Sequence, residues 1–178
     1  MHPEPDLLPR PAGRRRRPSR RALLLASAAV ATGLLAGCTS AVKVAVAPDA
    51  ADPACASIVL ALPEQLGDLA RLTTTSQATA AWGEPTAPVV LRCGVEVPGP
   101  TTDTCVTVET PGGPSVDWVT VAGEPDADGS TDWTFTTYGR DPAVEVQVPA
   151  EVTAHHSTSF VDQLGPAVAA VEATGACL

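Results

Sequence analysis

The chain has 178 residues, 11 of them basic and 20 acidic, for a formal net charge of −9. Seven of the basic residues precede position 22, so the sequence from Cys38 onward keeps 4 basic against 18 acidic residues, a formal charge of −14. That balance excludes nucleic acid as a partner, which needs lysine and arginine to displace counterions from phosphates, and it leaves no polybasic segment to grip anionic lipid.

The N-terminus has the three parts of an export signal. Residues 14–17 with Arg20 and Arg21 form a positive region, residues 22–35 are an uncharged run, and Leu35-Ala36-Gly37-Cys38 closes it. A helix of that run spans about 21 Å, short of the roughly 30 Å hydrocarbon core, so it reads as a cleaved signal and not as a permanent span. Leu-Ala-Gly-Cys resembles the bacterial lipobox, in which small residues admit the peptidase and the cysteine thiol carries a diacylglycerol. Cys38 is thus the expected lipidation site, placing the mature chain outside the cell on the outer face of the cytoplasmic membrane. Ser19-Arg20-Arg21-Ala22-Leu23-Leu24 also resembles a twin-arginine signal, but five further arginines upstream leave the export route open. The expected divisions are residues 1–37 as signal peptide, 38–51 as lipidated N-terminus and spacer, and 52–178 as one extracytoplasmic domain, long enough for a single core.

Within the spacer, Val42, Val44 and Val46 alternate in a way that could equally begin a strand. Asp52-Pro53 reads as an N-cap followed by proline in the first helical turn. Cys55, Ile58, Val59, Leu62, Leu66 and Leu69 then recur at helical steps, with Pro63 expected to kink or divide the helix. Further on, Val89 to Val95, Val106 and Val108, Val119 and Val121, Trp133 to Thr137, and Val144 to Val148 alternate with period two, the pattern of strands with one buried face. Pro98-Gly99-Pro100, Pro111-Gly112-Gly113-Pro114, Asp128-Gly129 and Gly139-Arg140-Asp141-Pro142 supply the turns. Ser159 and Asp162 suggest a capping box for a second helix along Phe160, Leu164, Val168 and Val171. The expected fold is α+β: an antiparallel sheet of four to five strands, with an N-terminal and a C-terminal helix packed on one face.

If Cys38 is lipidated, Cys55, Cys93, Cys105 and Cys177 remain, an even number in an oxidising compartment. No pair stands at the C-x₂₋₄-C spacing of a zinc site, so two disulfides are expected. Cys93 to Cys105 would staple neighbouring strands across Pro98-Gly99-Pro100, and Cys55 to Cys177 would join the two helices, although four cysteines admit three connectivities.

Together, Asp52-Pro53-Ala54-Cys55, Trp82-Gly83-Glu84-Pro85, Arg92-Cys93-Gly94-Val95, Cys105, Val116-Asp117-Trp118, the stretch from Thr137 through Gly139-Arg140-Asp141-Pro142 to Val146, and Cys177-Leu178 resemble the actinobacterial domain of unknown function family 3515. That family comprises uncharacterised envelope lipoproteins and membrane proteins. The resemblance covers about residues 52–178 and implies an envelope setting, with no activity to carry over.

Motifs for chemistry are sparse. Adjacent side chains of His155 and His156 diverge, and no cysteine or carboxylate stands at ligand spacing beside them. Glu124, Asp126, Asp128, Gly129 and Asp132 imitate part of a calcium loop, but with Glu124 at position 1, position 12 is Phe135, so an Asp-Gly turn is the better account. No serine lies in a G-x-S-x-G elbow. No catalytic residue, metal ligand or cofactor is expected. The possible binding group is Trp82, Trp118, Tyr138, Arg140 and Asp141, where Arg140 either pairs with Asp141 or Asp117 to order its turn or grips an anion over an aromatic floor. The expected function is a non-catalytic envelope module that binds a partner protein or a cell-wall component, with a small-ligand carrier or hydrolase as the alternative.

Overall fold

The computed structural model describes residues 41–178. The expected export signal and the expected lipidation site, Cys38, lie outside the described residues.

Helix α1 (Pro53–Ala61) begins where the sequence places it: the Asp52 carboxylate accepts the Ala54 N–H at 2.7 Å, and Pro53 occupies the first turn. It ends at Leu62, which is extended because Pro63 clashes with a helical conformation in the residue before it. The Leu66 and Leu69 positions belong instead to short strands β1 (Gln65–Leu66) and β2 (Leu69–Leu72), joined through Gly67 at φ +62°. Arg71 reaches back from β2, donating to the Val59 and Leu62 carbonyls at 3.1 Å each, so its charge closes the otherwise unsatisfied end of α1.

Then follow β3 (Thr79–Glu84), β4 (Ala87–Val95), β5 (Thr104–Glu109), β6 (Ser115–Ala122), β7 (Trp133–Thr137) and β8 (Ala143–Val148). All neighbours are antiparallel, in the order β1-β2-β3-β4-β8-β7-β6-β5. Two four-stranded meanders are therefore sewn together where β4 pairs with β8. This corrects the expected sheet of four to five strands flanked by two helices. Residues 79–82 of β3 are buried on both faces, and a strand covered twice shows no alternation to read. In β6, moreover, Val116 and Trp118 face the core while Val121 is exposed, the opposite phase from the Val119–Val121 reading.

The C-terminal helix also differs from expectation. It is broken into a one-turn helix α2 (Ala150–Thr153), a 3₁₀ segment (Thr158–Leu164) and a one-turn helix α3 (Gly165–Val168). Ser157, not Ser159, caps the 3₁₀ segment by accepting the Ser159 N–H.

The core lies on one sheet face, where Ile58 and Leu62 of α1 and Phe160, Leu164 and Val168 meet Trp82, Leu91, Trp118 and Val146. Across the sheet, the stretch expected as a spacer is packed. Val42 and Val44 sit on Ala81, while Ala47 and Ala50 sit with Val95 and Ala143. Backbone bonds fasten it: Val42 N–H to the Thr73 carbonyl at 2.8 Å, Thr75 N–H to Val42 at 3.0 Å, and Asp49 N–H to Gly94 at 2.9 Å.

Two disulfides are present, but they join Cys55 to Cys93 and Cys105 to Cys177. The pairing of Cys93 with Cys105 fails because β5 is not the neighbour of β4: after Val95 the chain crosses to the far edge, leaving β8, β7 and β6 between them. The pairing of Cys55 with Cys177 fails because α1 packs on β4, which presents Cys93 to it.

Candidate functional site

The five residues grouped from the sequence do not converge on one pocket. Trp82 and Trp118 are fully buried in the core. The Trp82 indole donates to the Pro63 carbonyl at 3.0 Å, and Trp118 meets the Phe135 ring edge-on at 6.4 Å. Tyr138 is half-buried and Asp141 is exposed, at the turn between β7 and β8.

Arg140, in the same turn, is only 7% exposed. It makes no salt bridge with a described carboxylate, contrary to the expected pairing with Asp141 or Asp117. Its guanidinium donates instead to the carbonyls of Val171 and Ser115, and burial pushes its pKa down while Asp117 opposes the shift. Asp117 is occupied elsewhere, accepting the Thr107 hydroxyl at 2.6 Å and the Cys177 N–H at 2.8 Å. Around these bonds the tail is tied down further by Thr174, whose N–H and hydroxyl both donate to the Gly139 carbonyl, and by the Cys105–Cys177 disulfide. The geometry makes Arg140 a clamp on the C-terminal segment.

A different group of charges lines an open cleft. On the sheet face opposite the core, β4 and β8 set Arg92 directly against Glu145. The guanidinium Nε and Nη2 donate to the same carboxylate oxygen, Oε1, at 3.2 and 2.6 Å, and the Gln147 amide donates to that oxygen at 2.8 Å. Arg92 Nη1 and Glu145 Oε2 keep no protein partner among the described residues. With Thr136 the pair floors a cleft of about 440 Å³, walled by Pro48 of the packed N-terminal segment and by residues 95–99. Both side chains are largely but not wholly covered, 23% and 16% exposed. A floor of this kind offers a fixed donor and a fixed acceptor to a polar ligand.

This pair was not read from the sequence. Each charge was visible as the outward member of an alternating strand, Arg92 between Leu91 and Cys93 and Glu145 between Val144 and Val146. What joins them is the β4–β8 register, set across 53 residues of chain. The two remaining motifs have local roles. His156 Nδ1 stands 3.1 Å from Asp68, while the acidic loop is organised by an Asp128 carboxylate accepting the Ser130 N–H and an Asp132 carboxylate accepting the Ala150 N–H that opens α2. Among the described residues, no group of three or more histidines, cysteines and carboxylates is placed to hold a metal ion.

A family model described as "Protein of unknown function (DUF3515)" matches residues 22–176, most of the chain. The chain belongs to this family. No curated protein and no solved structure matches it. The DUF3515 match spans α1, all eight strands and the Cys55–Cys93 disulfide, ending one residue before Cys177, so the Arg92–Glu145 cleft lies wholly within the family's domain.

Proposed function

We propose that this protein is a lipid-anchored component of the cell envelope that uses the Arg92–Glu145 cleft to bind a polar group of an envelope protein or a cell-wall component, without catalysis. The anchor reading rests on the arginine-rich leader, the short apolar run and Leu35-Ala36-Gly37-Cys38. The cleft reading rests on one observation: a largely covered ion pair whose two charges are spent on each other, with one guanidinium nitrogen and one carboxylate oxygen left over. The cost of removing ions from water offsets much of what such a pair returns, so it is weak as a source of stability. A rigid donor and acceptor side by side suit recognition of an amide, which carries both an N–H and a C=O, better than proton transfer.

The test places a photocrosslinking residue at Val97, on the cleft wall, and at Asp128 as a control in intact cells. Adducts at position 97 that vanish with Gly99→Trp are expected; that substitution fills the rim where a side chain meets no neighbour. Equal adducts at both positions, or adducts indifferent to Gly99→Trp, would sink the cleft reading. Loss of membrane fractionation in Cys38→Ala, with the leader still cleaved, tests the anchor separately.

A further inference from the structure

Among the described residues, the chain is fixed to the sheet from Val42 onward. Val42 is buried on Ala81, and its backbone is bonded on both sides to Thr73 and Thr75 of the β2–β3 turn. Only four Cα steps separate Cys38 from Val42, a reach of about 14 Å even when fully extended. The turn that receives it is stiff: the Thr79 hydroxyl donates to Ser76 O at 2.6 Å and accepts from the Thr74 hydroxyl at 2.8 Å, the Ser76 hydroxyl donates to the Val44 carbonyl at 2.5 Å, and Ala78 adopts φ +57°. A lipid at position 38 is therefore joined to a rigid corner of the sheet by a tether too short to let the domain turn freely.

The chemistry of that corner fits the same placement. Residues 41–48 and 69–83 carry no carboxylate, in a domain of formal charge −14. Their exposed side chains include Lys43, Val46, Thr73, Thr75 and Gln77. The opposite corner is the reverse. The β6–β7 loop, residues 123–132, holds Glu124, Asp126, Asp128 and Asp132 with no basic residue. It lies at the other end of the strands, because Thr79 begins β3 near the Arg92 row whereas Trp133 pairs with Val148 at the far row. It is also displaced sideways by up to five strand spacings of about 4.8 Å, on the order of 25 Å.

Resting on the lipid anchor read above, we infer that the domain sits with its β2–β3 turn and the outer side of residues 41–46 against the headgroups of the outer leaflet, and its acidic β6–β7 loop pointing away. The surface is a membrane-facing one, and its occupant is the bilayer that holds the anchor. The carboxylate beside that turn, Glu64, stands 3.8 Å from the Arg71 guanidinium, which offsets its charge, while the acidic loop is held beyond the roughly 10 Å range of screened charge repulsion.

The experiment uses the lipidated chain purified from membranes and reconstituted into phosphatidylcholine and phosphatidylglycerol vesicles. An azide-bearing residue carries a fluorophore at Thr75 in one variant and at Asp128 in another, and headgroup-labelled lipid is the energy acceptor. Transfer from position 75 is expected to exceed that from position 128 at least about twofold, given their separation. Inserting a flexible 12-residue glycine and serine linker between Ser40 and Ala41 adds on the order of 20 Å of reach and is expected to erase the difference. Equal transfer from both positions in membrane-bound protein overturns the orientation and leaves the anchor standing. A difference that survives the linker overturns the tether as its cause. A chain that fails to co-sediment with vesicles overturns the anchor and the orientation together.

Discussion

Gly94 and Asp49 meet backbone to backbone: the Asp49 N–H donates to the Gly94 carbonyl at 2.9 Å, and a Cβ on Gly94 would overlap the Asp49 carbonyl. Gly94 also adopts φ +87°, at the irregularity where the β4–β8 register shifts between Cys93 and Val95. Gly94→Ala is therefore expected to cost about 2–4 kcal/mol by urea unfolding, from backbone strain plus the displaced segment. A loss under about 0.5 kcal/mol, the range of ordinary surface changes, would show that the N-terminal segment is not held there.

Arg140 should behave as a structural clamp. Removing its donors strands the carbonyls of Val171 and Ser115, and bonds to a charged group contribute about 1.5–3 kcal/mol each. Arg140→Ala is expected to lower stability by about 2–4 kcal/mol and to expose the tail to protease. Arg140→Lys should restore only part of this, since an ammonium lacks the planar fork that serves both carbonyls. Normal melting of Arg140→Ala, combined with loss of the adducts expected at Val97, would instead assign Arg140 to recognition.

The two disulfides should differ in accessibility. Cys55 and Cys93 are fully buried between α1 and β4, whereas Cys105 and Cys177 are only half-buried. Under a native reductant titration with alkylation and peptide mapping, Cys105 and Cys177 are expected to be labelled first. Their sequence separations of 38 and 72 residues imply similar stabilisation, about 4 kcal/mol each in the chain-entropy model, so the order should follow exposure and not loop length. Labelling of Cys55 and Cys93 first would contradict the burial.

Asp128 supplies a pH test. The backbone N–H of Ser130, then its hydroxyl, hold the carboxyl below its ordinary pKa of 3.8. Because the folded pKa is the lower one, the ordering of this turn is fully present above pH 3.8 and is lost as the pH falls through the folded value. An NMR titration of the Ser130 amide should give a midpoint below 3.8, and Asp128→Asn should abolish the transition. A midpoint at or above 3.8 would contradict the hydrogen bond.

Features governed by neighbours in sequence were legible. Asp52-Pro53 starts α1 and Pro63 stops it, because capping and the clash before proline act within a few residues. The alternations from Val89 to Val148 mark β4 to β8, because side chains of a strand point to opposite faces whatever its partner. What no local rule contains is which elements meet. The Cys55–Cys93 and Cys105–Cys177 pairings depend on α1 docking against β4 and on the crossing of the chain to the far edge after Val95. The Arg92–Glu145 pair depends on β4 pairing with β8 in one register, and the burial of Val42 on Ala81 depends on a sheet already formed beneath it. The sequence by itself thus determined the local elements, where short-range sterics and hydrogen bonds suffice; pairing, burial and the cleft were left to the tertiary structure, because they arise only when distant segments share one core.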